Sequence, residues 1–413
     1  MENTVLELLH YNKSSITVHL SETYAEYTHI QSCFLLDKNI FAYSFFLLFL
    51  LEFVTVLGKK QVKAGEDVTF RCEADTEDLP VTWEKKGQRL CCVEGKHKTG
   101  KNGTNISLEI KNVDLGDEGN YTVTIKNSSG SASCSAMLIV EIPEWRTVQW
   151  KQETMVSTLK SFKISAENVR ELRFLLHGPV GAGKSSIINT IKSIFEGHQY
   201  INCLTASDLT GESFTTKYEK YNVGNVPFTF HDVMGLEKEQ SKGVHTNDII
   251  NALKGHISKD YTFKPLDPIN EDNRYYILNP TLNDQIHCLV SVIPADKISM
   301  MDDEVIQKMK EIRAAASKLG IPQVVFITRV DKVCEMTEKD ITKLYQSRKI
   351  KEKMMECSNR LGVTMNCIFP VKNYSEETKA NEKLNCLMLE ALTQIVHSAN
   401  DFVKKNSNQL KKE

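Results

Sequence analysis

The feature that most constrains the fold is the glycine-rich stretch HGPVGAGKSS at residues 177–186. The apolar run LRFLLHG precedes its Gly-x-x-x-x-Gly-Lys-Ser pattern, and SSIINTIKSIF follows it with isoleucines at helical spacing. A buried strand, a tight turn and a helix in this order are the context that a phosphate-binding loop requires. The alternative is a glycine turn that caps an ordinary helix. The pattern predicts an α/β P-loop domain.

The residue types in this stretch suit the phosphates of a nucleotide. Glycines let the backbone curl so that its N–H groups point at phosphate oxygens, next to the positive end of a helix. Lys184 would bridge the β- and γ-phosphates, and the Ser185 hydroxyl would lie on Mg²⁺. The residues predicted to hold the phosphates are Gly178, Gly181, Gly183, Lys184, Ser185 and Ser186.

Two further segments are predicted to complete the metal and γ-phosphate site. PFTFHDVMG is an apolar strand that ends in Asp232-x-x-Gly235. There an aspartate can hold the Mg²⁺ shell through water, and a glycine N–H can sense the γ-phosphate. In GESFTTKYEKY, Thr216 is our choice for the threonine that contacts Mg²⁺, with Thr215 in reserve, although either can be an ordinary strand threonine. The predicted metal ligands are therefore Ser185, Thr216 and Asp232.

The segment IPQVVFITRVDK indicates which base is bound. It ends in Thr328, Arg329, Val330 and Asp331, where GTP-binding proteins have Asn/Thr-Lys-x-Asp. A fixed carboxylate at Asp331 accepts two hydrogen bonds from the N1 and N2 edge of guanine, and adenine offers no such pair. Arg329 replaces the usual lysine and is not equivalent to it. In FPVKNY, Val371 and Lys372 could lie against the base. The predicted cofactors are GTP and Mg²⁺.

The residues expected to assist hydrolysis differ from those of fast GTPases. Leu236 stands where a glutamine orients the attacking water, and Val180 stands where a small residue admits an arginine finger. These residues predict slow turnover, or turnover assisted by a partner or a second copy. His231 and Glu237 flank the site and could be recruited, or could be solvated or packed. The catalytic residues stay unassigned.

Residues 58–142 have a different pattern, with apolar residues at every second position in several short runs. This pattern predicts a sandwich of strands. The region resembles an immunoglobulin-like domain because Trp83 lies eleven residues after Cys72, and DEGNYTV places Tyr121 as in a tyrosine corner. Val123 stands where the second core cysteine of such domains would be. The domain is predicted to bind a protein partner, and the alternative is a spacer.

The N-terminal segment, residues 1–57, includes an apolar stretch at 40–57 that Glu52 interrupts. It can be a signal anchor, a buried strand or helix, or a poorly supported start to the chain. If it spans a membrane, the lysines that follow would keep the C-terminal side in the cytosol. We do not expect a membrane contact.

Composition favours a cytoplasmic protein. The net charge of −2 gives no basis for nucleic-acid binding, and eleven scattered cysteines without a Cys-x-x-Cys pair are typical of reduced thiols. Glycosylation sequons are expected to be unoccupied; they lie at Asn102, Asn105, Asn120 and Asn127. The remaining predicted boundaries are a linker at 143–170, the P-loop GTPase-like domain at 171–405 and a basic tail at 406–413.

Several quoted stretches in the region of about 146–405 resemble the interferon-induced protein 44 and 44-like family. They are WRTVQW, LRFLLHGPVGAGKSSIINTIKSIFEGH, HDVMGL, DIINALKGHISKDYTF, DQIHCLVSVI and GIPQVVFITRVD. The resemblance implies an interferon-inducible, mainly cytoplasmic protein of innate antiviral defence that binds GTP. In the family's better-known members a different domain precedes this region, so its properties do not carry over.

Three hypotheses follow from the sequence. The first is a GTP-binding switch or scaffold, whose partner reads the segments near Thr216 and Gly235 or binds the immunoglobulin-like domain. The second is a GTPase that depends on homodimerisation. The third is a non-hydrolysing adaptor in which the phosphate loop is a relic.

Overall fold

The computed structural model describes residues 51–128, 130–200, 215–375 and 377–410. The chain divides into two units between Pro143 and Glu144. Most of the apolar stretch at 40–57 lies outside the described residues, as does the end of the predicted basic tail. Among the residues that the structure describes, no helix has the length and apolar character needed to cross a bilayer.

The first unit is built from strands in two sheets. The strands are Phe53–Thr55 (β1), Lys60–Lys63 (β2), Val68–Ala74 (β3), Val81–Lys85 (β4), Gln88–Arg89 (β5), His97–Asn102 (β6), Asn105–Ile110 (β7), Gly119–Lys126 (β8) and Ser131–Glu141 (β9). One sheet has the order β1-β3-β7-β6 and the other β2-β9-β8-β4-β5. Strand β2 runs parallel to β9, and the other pairs are antiparallel. The predicted all-β immunoglobulin-like unit is thus confirmed.

Its core forms because alternate residues of both sheets point inward. Trp83 is 6% exposed, and the Phe70 and Tyr121 rings lie 5.2 Å apart. The Tyr121 hydroxyl donates to the Asp117 carbonyl at 2.9 Å, which is the hydrogen bond of a tyrosine corner. Val123 is fully buried in the same core.

This unit begins earlier than the predicted boundary at residue 58. Leu51 and Leu57 are buried in its core, and strand β1 pairs with β3. The described end of the apolar stretch is therefore part of the sandwich. An apolar run that ends in a short edge strand cannot be distinguished by composition alone from the start of a helix or a membrane anchor.

The second unit is an α/β unit around a six-stranded sheet. Its strands are Leu172–His177 (β10), Glu219–Asn222 (β11), Phe228–Asp232 (β12), Cys288–Pro294 (β13), Gln323–Thr328 (β14) and Ile368–Pro370 (β15). The order is β11-β12-β10-β13-β14-β15; β11 is antiparallel to β12 and the other pairs are parallel. Its helices are Gln152–Lys160 (α1), Lys184–Glu196 (α2), Thr246–Lys254 (α3), Asp303–Lys318 (α4), Glu335–Lys339 (α5), Arg348–Leu361 (α6) and Glu382–Leu410 (α7).

The strand order determines where a ligand can bind. After β10 the chain builds β11 and β12 on one side of it and then crosses to β13 on the other. Such a reversal leaves a crevice at the carboxyl ends of the central parallel strands. The glycine-rich stretch begins at that end of β10.

The predicted linker, residues 143–170, lies within the second unit except for Pro143. It contains helix α1, which packs on α7. Arg146 donates to the carbonyls of Ile368 and Met365, each at 2.7 Å. The predicted tail at 406–413 also differs, since α7 continues to Leu410. Residues 144–170 and 406–410 are thus structured, which no composition or pattern in the sequence indicates.

Candidate functional site

The candidate site is centred on residues 178–185, which we call the glycine loop. A Cβ at Gly178 would lie 2.1 Å from the Val292 carbonyl oxygen, so only glycine fits there. Gly181 and Gly183 have φ values of 71° and 93°, which glycine adopts without strain. Gly183 precedes α2 without a side-chain cap. The first N–H groups of a helix have no partner within it and can therefore receive an anion.

Lys184 turns back over this loop. Its side chain is almost fully buried, and its Nζ donates to the carbonyls of Gly178 at 3.3 Å and Pro179 at 3.2 Å. Burial lowers the pKa of Lys184, and the neighbouring charge of Asp232 partly opposes this shift. The ammonium group is thus held among backbone carbonyls, where a phosphate oxygen would be a stronger partner.

Three oxygen-bearing side chains meet beside Lys184. The Ser185 hydroxyl donates to Oδ2 of Asp232 at 2.6 Å, and the Thr215 hydroxyl donates to the same oxygen at 3.4 Å. Asp232 is 1% exposed, and its Oδ1 is buried without a hydrogen-bond partner. Burial raises the pKa of Asp232, and Lys184 opposes this shift. We call Ser185, Thr215 and Asp232 the oxygen cluster.

The threonine in this cluster is the one that the sequence analysis held in reserve. Thr215 is half-buried beside Asp232, whereas Thr216 is exposed and its carbonyl accepts from the Phe263 N–H at 2.9 Å. Neighbouring residues of an extended chain point in opposite directions, so only one of the two can face the carboxylate. The spacing of the two threonines from the glycine loop could not show which of them faces Asp232.

The Asp-x-x-Gly segment pairs with the glycine loop through its backbone. The Leu236 N–H donates to the Gly178 carbonyl at 2.9 Å, and the Val180 N–H donates to the Leu236 carbonyl at 3.3 Å. A Cβ at Gly235 would lie 2.5 Å from Cγ2 of Val180. Gly235 therefore lies directly against the loop, and Leu236 is 1% exposed.

The end of β14 is also joined to the loop. The Thr328 hydroxyl donates to the Ala182 carbonyl at 2.7 Å, and Nη2 of Arg329 donates to the Gly181 carbonyl at 2.8 Å. Nη1 of Arg329 lies 3.7 Å from Oδ2 of Asp296. Thus Thr328 and Arg329 support the loop through two consecutive carbonyls.

Asp331 lies near the last loop of the unit. Oδ2 of Asp331 is 3.8 Å from Nζ of Lys372, which also lies 2.7 Å from Oε1 of Glu377. Nδ2 of Asn373 donates to the Gly183 carbonyl at 3.3 Å. Val371 is fully buried, and its N–H donates to the Ile327 carbonyl. Lys372 and Asn373, rather than the Val371 side chain, therefore border Asp331 and the loop.

His231 and Glu237 make other contacts. The fully buried His231 ring accepts from Nε of Arg173 at 3.1 Å and stacks on Tyr218 at 5.2 Å. Burial, together with the charge of Arg173, lowers the pKa of His231 well below its usual value. The Glu237 carbonyl accepts from Nζ of Lys308 at 2.7 Å. His231 is a neutral, packed residue of the core.

Sequence reasoning did not identify Asp296 or Asn373. Asp296 follows the carboxyl end of β13, which would have been a usable signal, because polar residues at that edge of a parallel sheet face the crevice. Its Oδ1 and the Oδ1 of Asn373 are buried without a hydrogen-bond partner. Asn373 lies in an irregular loop and has no comparable signal.

The donor set suits a magnesium nucleotide. Mg²⁺ prefers oxygen ligands, and the oxygen cluster supplies two hydroxyls and a carboxylate with an unpartnered oxygen. Lys184 and the start of α2 offer positive groups to phosphates. Ser186 follows as the third residue of α2.

Comparisons with known proteins cover both units. The profile of the Immunoglobulin I-set domain matches residues 51–140. Human interferon-induced protein 44 is 27% identical over 369 residues, which cover 88% of this chain and 79% of that protein. The mouse protein of the same name is 33% identical over 256 residues, covering 60% of each chain. Human interferon-induced protein 44-like is 31% identical over 256 residues, or 60% of this chain and 56% of that protein. The last two alignments thus cover less than two thirds of the relative.

Proposed function

Since this chain is a relative of interferon-induced protein 44 and carries an I-set immunoglobulin domain, as the sequence resemblance predicted, we propose that it is an interferon-induced guanine-nucleotide-binding protein of innate antiviral defence. The second unit would be a P-loop GTPase-like domain. The observation that carries the proposal is the oxygen cluster beside Lys184, with the unpartnered Oδ1 of Asp232 at its centre.

The phosphates would bind where Lys184 now contacts backbone carbonyls. The exchange of two neutral carbonyl contacts for charged phosphate oxygens favours the bound state. Ser185, Thr215 and Asp232 are the residues that would hold Mg²⁺. When bound, the ion would neutralise part of the phosphate charge.

Asp331 is the residue proposed to select guanine. It is partly exposed, at 20% of its side-chain surface, and it follows the strand end that is bonded to the loop. Its carboxylate can accept from two neighbouring donors on one edge of a base. The ammonium of Lys372 at 3.8 Å would have to share this carboxylate with guanine.

Slow hydrolysis fits the residues around the γ-phosphate position. The hydrocarbon side chain of Leu236 offers no polar group that could orient a water. The residue is also buried and is bonded to the loop through its backbone. His231 is packed elsewhere. We propose that the protein acts as a switch or scaffold whose bound nucleotide persists, and that a protein partner reads its state.

The test is direct binding of fluorescent GTP and ATP analogues to the full chain in the presence of Mg²⁺. The wild type is expected to prefer the GTP analogue. Lys184→Ala removes a charged phosphate contact and should raise the dissociation constant at least about tenfold, which corresponds to ~1.4 kcal/mol. Asp331→Ala should abolish the preference for guanine over adenine.

Lys192→Ala is the matched control, because it lies on the same helix and its Nζ is 4.0 Å from the centre of the Tyr200 ring, away from the loop. Its affinity should equal that of the wild type. If a folded wild type, checked by circular dichroism, binds neither analogue, the proposed function is wrong. Equal binding of both analogues would exclude the guanine assignment.

A further inference from the structure

Two thiols lie together in the core of the immunoglobulin unit. Cys72 and Cys134 are 3% and 9% exposed, and both are free. Cys72 belongs to β3 in one sheet, and Cys134 belongs to β9 in the other. Both side chains belong to one buried core, and each thiol is near enough to the other to shift its pKa.

The strand pairing explains how they meet. Val123 on β8, which occupies the usual position of the second core cysteine, is paired directly with Cys134 on β9. On its other side Val123 is paired with Trp83 on β4. The second core thiol therefore lies on the strand next to the usual position, in the same sheet and in the same core as Cys72. The sequence showed only that Cys72 has no partner at the usual position, which Val123 occupies.

The two thiols differ in their tendency to ionise. The hydrogen bond with Cys134 raises the pKa of Cys72, and burial adds to this shift. The same bond lowers the pKa of Cys134, and a hydrogen bond from the Leu57 backbone acts in the same direction, while burial opposes both. A thiolate is the reactive form of cysteine. Cys134, the more exposed of the pair, is thus suited to react first.

We propose that Cys72 and Cys134 form a site of reversible oxidation that joins the two sheets by a disulfide when hydrogen peroxide is present. The Cys134 thiolate attacks one peroxide oxygen; a sulfur–oxygen bond forms, the oxygen–oxygen bond breaks, and hydroxide leaves and is protonated to water. The Cys72 sulfur then attacks the oxidised sulfur; the disulfide forms, the sulfur–oxygen bond breaks, and the hydroxide that leaves takes the Cys72 proton as a second water. Together the sulfurs lose two electrons and the peroxide gains them.

A bond at this place would constrain the unfolded chain. It would close a loop between residues 72 and 134, which are 62 positions apart in the sequence. Disulfides that close loops of this length stabilise by restricting the unfolded ensemble. Because both side chains lie in one buried core, the bond would join two sulfurs that are already neighbours. The oxidised unit should therefore unfold at a higher temperature than the reduced unit.

The experiment treats the full chain with hydrogen peroxide, blocks remaining thiols with N-ethylmaleimide in denaturant, and maps peptides without reduction. A peptide pair linked through Cys72 and Cys134 is expected in the wild type and in a double variant that lacks two exposed thiols, Cys91→Ser with Cys92→Ser. It should be absent from Cys134→Ser and should disappear after dithiothreitol. The melting temperature of the first unit should rise by at least about 5 °C on oxidation.

The proposal is overturned if Cys72 and Cys134 are both recovered with the maleimide while Cys91 and Cys92 have been oxidised. It is equally overturned if Cys72 is found joined to any other cysteine, Cys33 included. These outcomes are read from the wild type, so they do not depend on whether Cys134→Ser folds. Nucleotide binding is not part of this oxidation test, so the outcome of the test is independent of the proposed function.

Discussion

The glycine loop depends on single residues that allow the backbone to come close. Gly178 lies against the Val292 carbonyl, and Gly235 lies against Val180. In both places a methyl group would be nearer than 3.0 Å to a neighbouring atom. The loop and the Asp-x-x-Gly segment are therefore fitted to each other by the absence of side chains.

Gly235→Ala should damage the candidate site. The added methyl would lie 2.5 Å from Cγ2 of Val180 and 2.8 Å from its backbone N, so the loop would have to shift. We expect a loss of about 1–3 kcal/mol in the free energy of unfolding, and at least tenfold weaker nucleotide binding. Urea denaturation and analogue titration measure the two effects.

Gly58→Ala provides the comparison, because nothing lies within 4 Å of a Cβ there and the residue has no positive φ. It should change stability by no more than about 0.5 kcal/mol. Wild-type binding by Gly235→Ala would show that the close approach does not shape the site.

For single residues, the sequence predicts which residue types form the site better than it predicts which side chains contact each other. The strand, turn and helix around Lys184 were predicted from the pattern, and the structure has β10 and α2 at those places. The contact between Thr215 and Asp232 and the contact between Cys72 and Cys134 depend on which way an extended chain turns its side chains. A single local pattern does not fix that direction.

Among the elements, the segment before β10 behaves unlike a linker. Arg146 donates to two backbone carbonyls, and its guanidinium lies 5.2–5.7 Å from the ring centres of Trp145, Tyr345 and Phe369. The Trp145 and Tyr345 rings meet edge to face at 4.9 Å. This cluster attaches the segment to the last strand of the sheet.

Arg146→Ala should destabilise the second unit by about 2–4 kcal/mol, since it removes two charge-assisted hydrogen bonds and leaves both carbonyls without their donor. Thermal unfolding of the full chain measures the effect. Arg170→Ala is the control, because Arg170 is exposed and should contribute within about 0.5 kcal/mol. Equal melting curves for the two variants would show that the segment is not attached through Arg146.

The elements predicted well are those with a regular period. Alternating runs such as VTFRCEA became strands, and the apolar run before the glycine loop became a buried strand. The attachment of residues 144–170 could not be predicted, because it depends on carbonyls more than 200 positions away, those of Met365 and Ile368. Strand β1 was only one of several alternatives for its segment, because its pairing with β3, rather than any period of its own, defines it.

For the whole molecule, three buried histidines make the second unit sensitive to acid. Burial lowers the pKa of His177 to about 3 and that of His287 to about 4, and it lowers the pKa of His231 well below its usual value. In the first unit, burial lowers the pKa of His97, but that residue is only half-buried. The two units should therefore respond differently to pH.

A histidine whose folded pKa is depressed stabilises fully above its unfolded value near 6.5, and this stability is lost as the pH falls. At pH 5 His177 and His287 should each cost roughly 2 kcal/mol, which is about 1.5 pH units at ~1.4 kcal/mol per unit, and His231 acts in the same direction. Asp248 acts in the opposite direction, because burial raises its pKa to about 6. Its protonation between pH 7 and pH 5 should add about 1–2 kcal/mol to the free energy of unfolding. Burial also raises the pKa of Asp232. The second unit should still lose stability between pH 7 and pH 5.

Calorimetry of the full chain at the two pH values measures this prediction. The transition of the second unit should move to lower temperature by more than that of the first. The I-set unit alone serves as a marker for assigning its transition. A second unit that is more stable at pH 5 than at pH 7 would contradict the pKa shifts of the histidines.

The bonds from Thr328 and Arg329 to the glycine loop have a consequence for how the two ends of the proposed nucleotide would bind. Because they hold carbonyls of Ala182 and Gly181, the strand end that leads to Asp331 cannot move without moving the loop. A group bound at the glycine loop would therefore preorganise the part of the site near Asp331, and the reverse, as in a chelate. A nucleoside and a pyrophosphate offered separately should each bind far more weakly than the intact nucleotide, and each should improve the binding of the other.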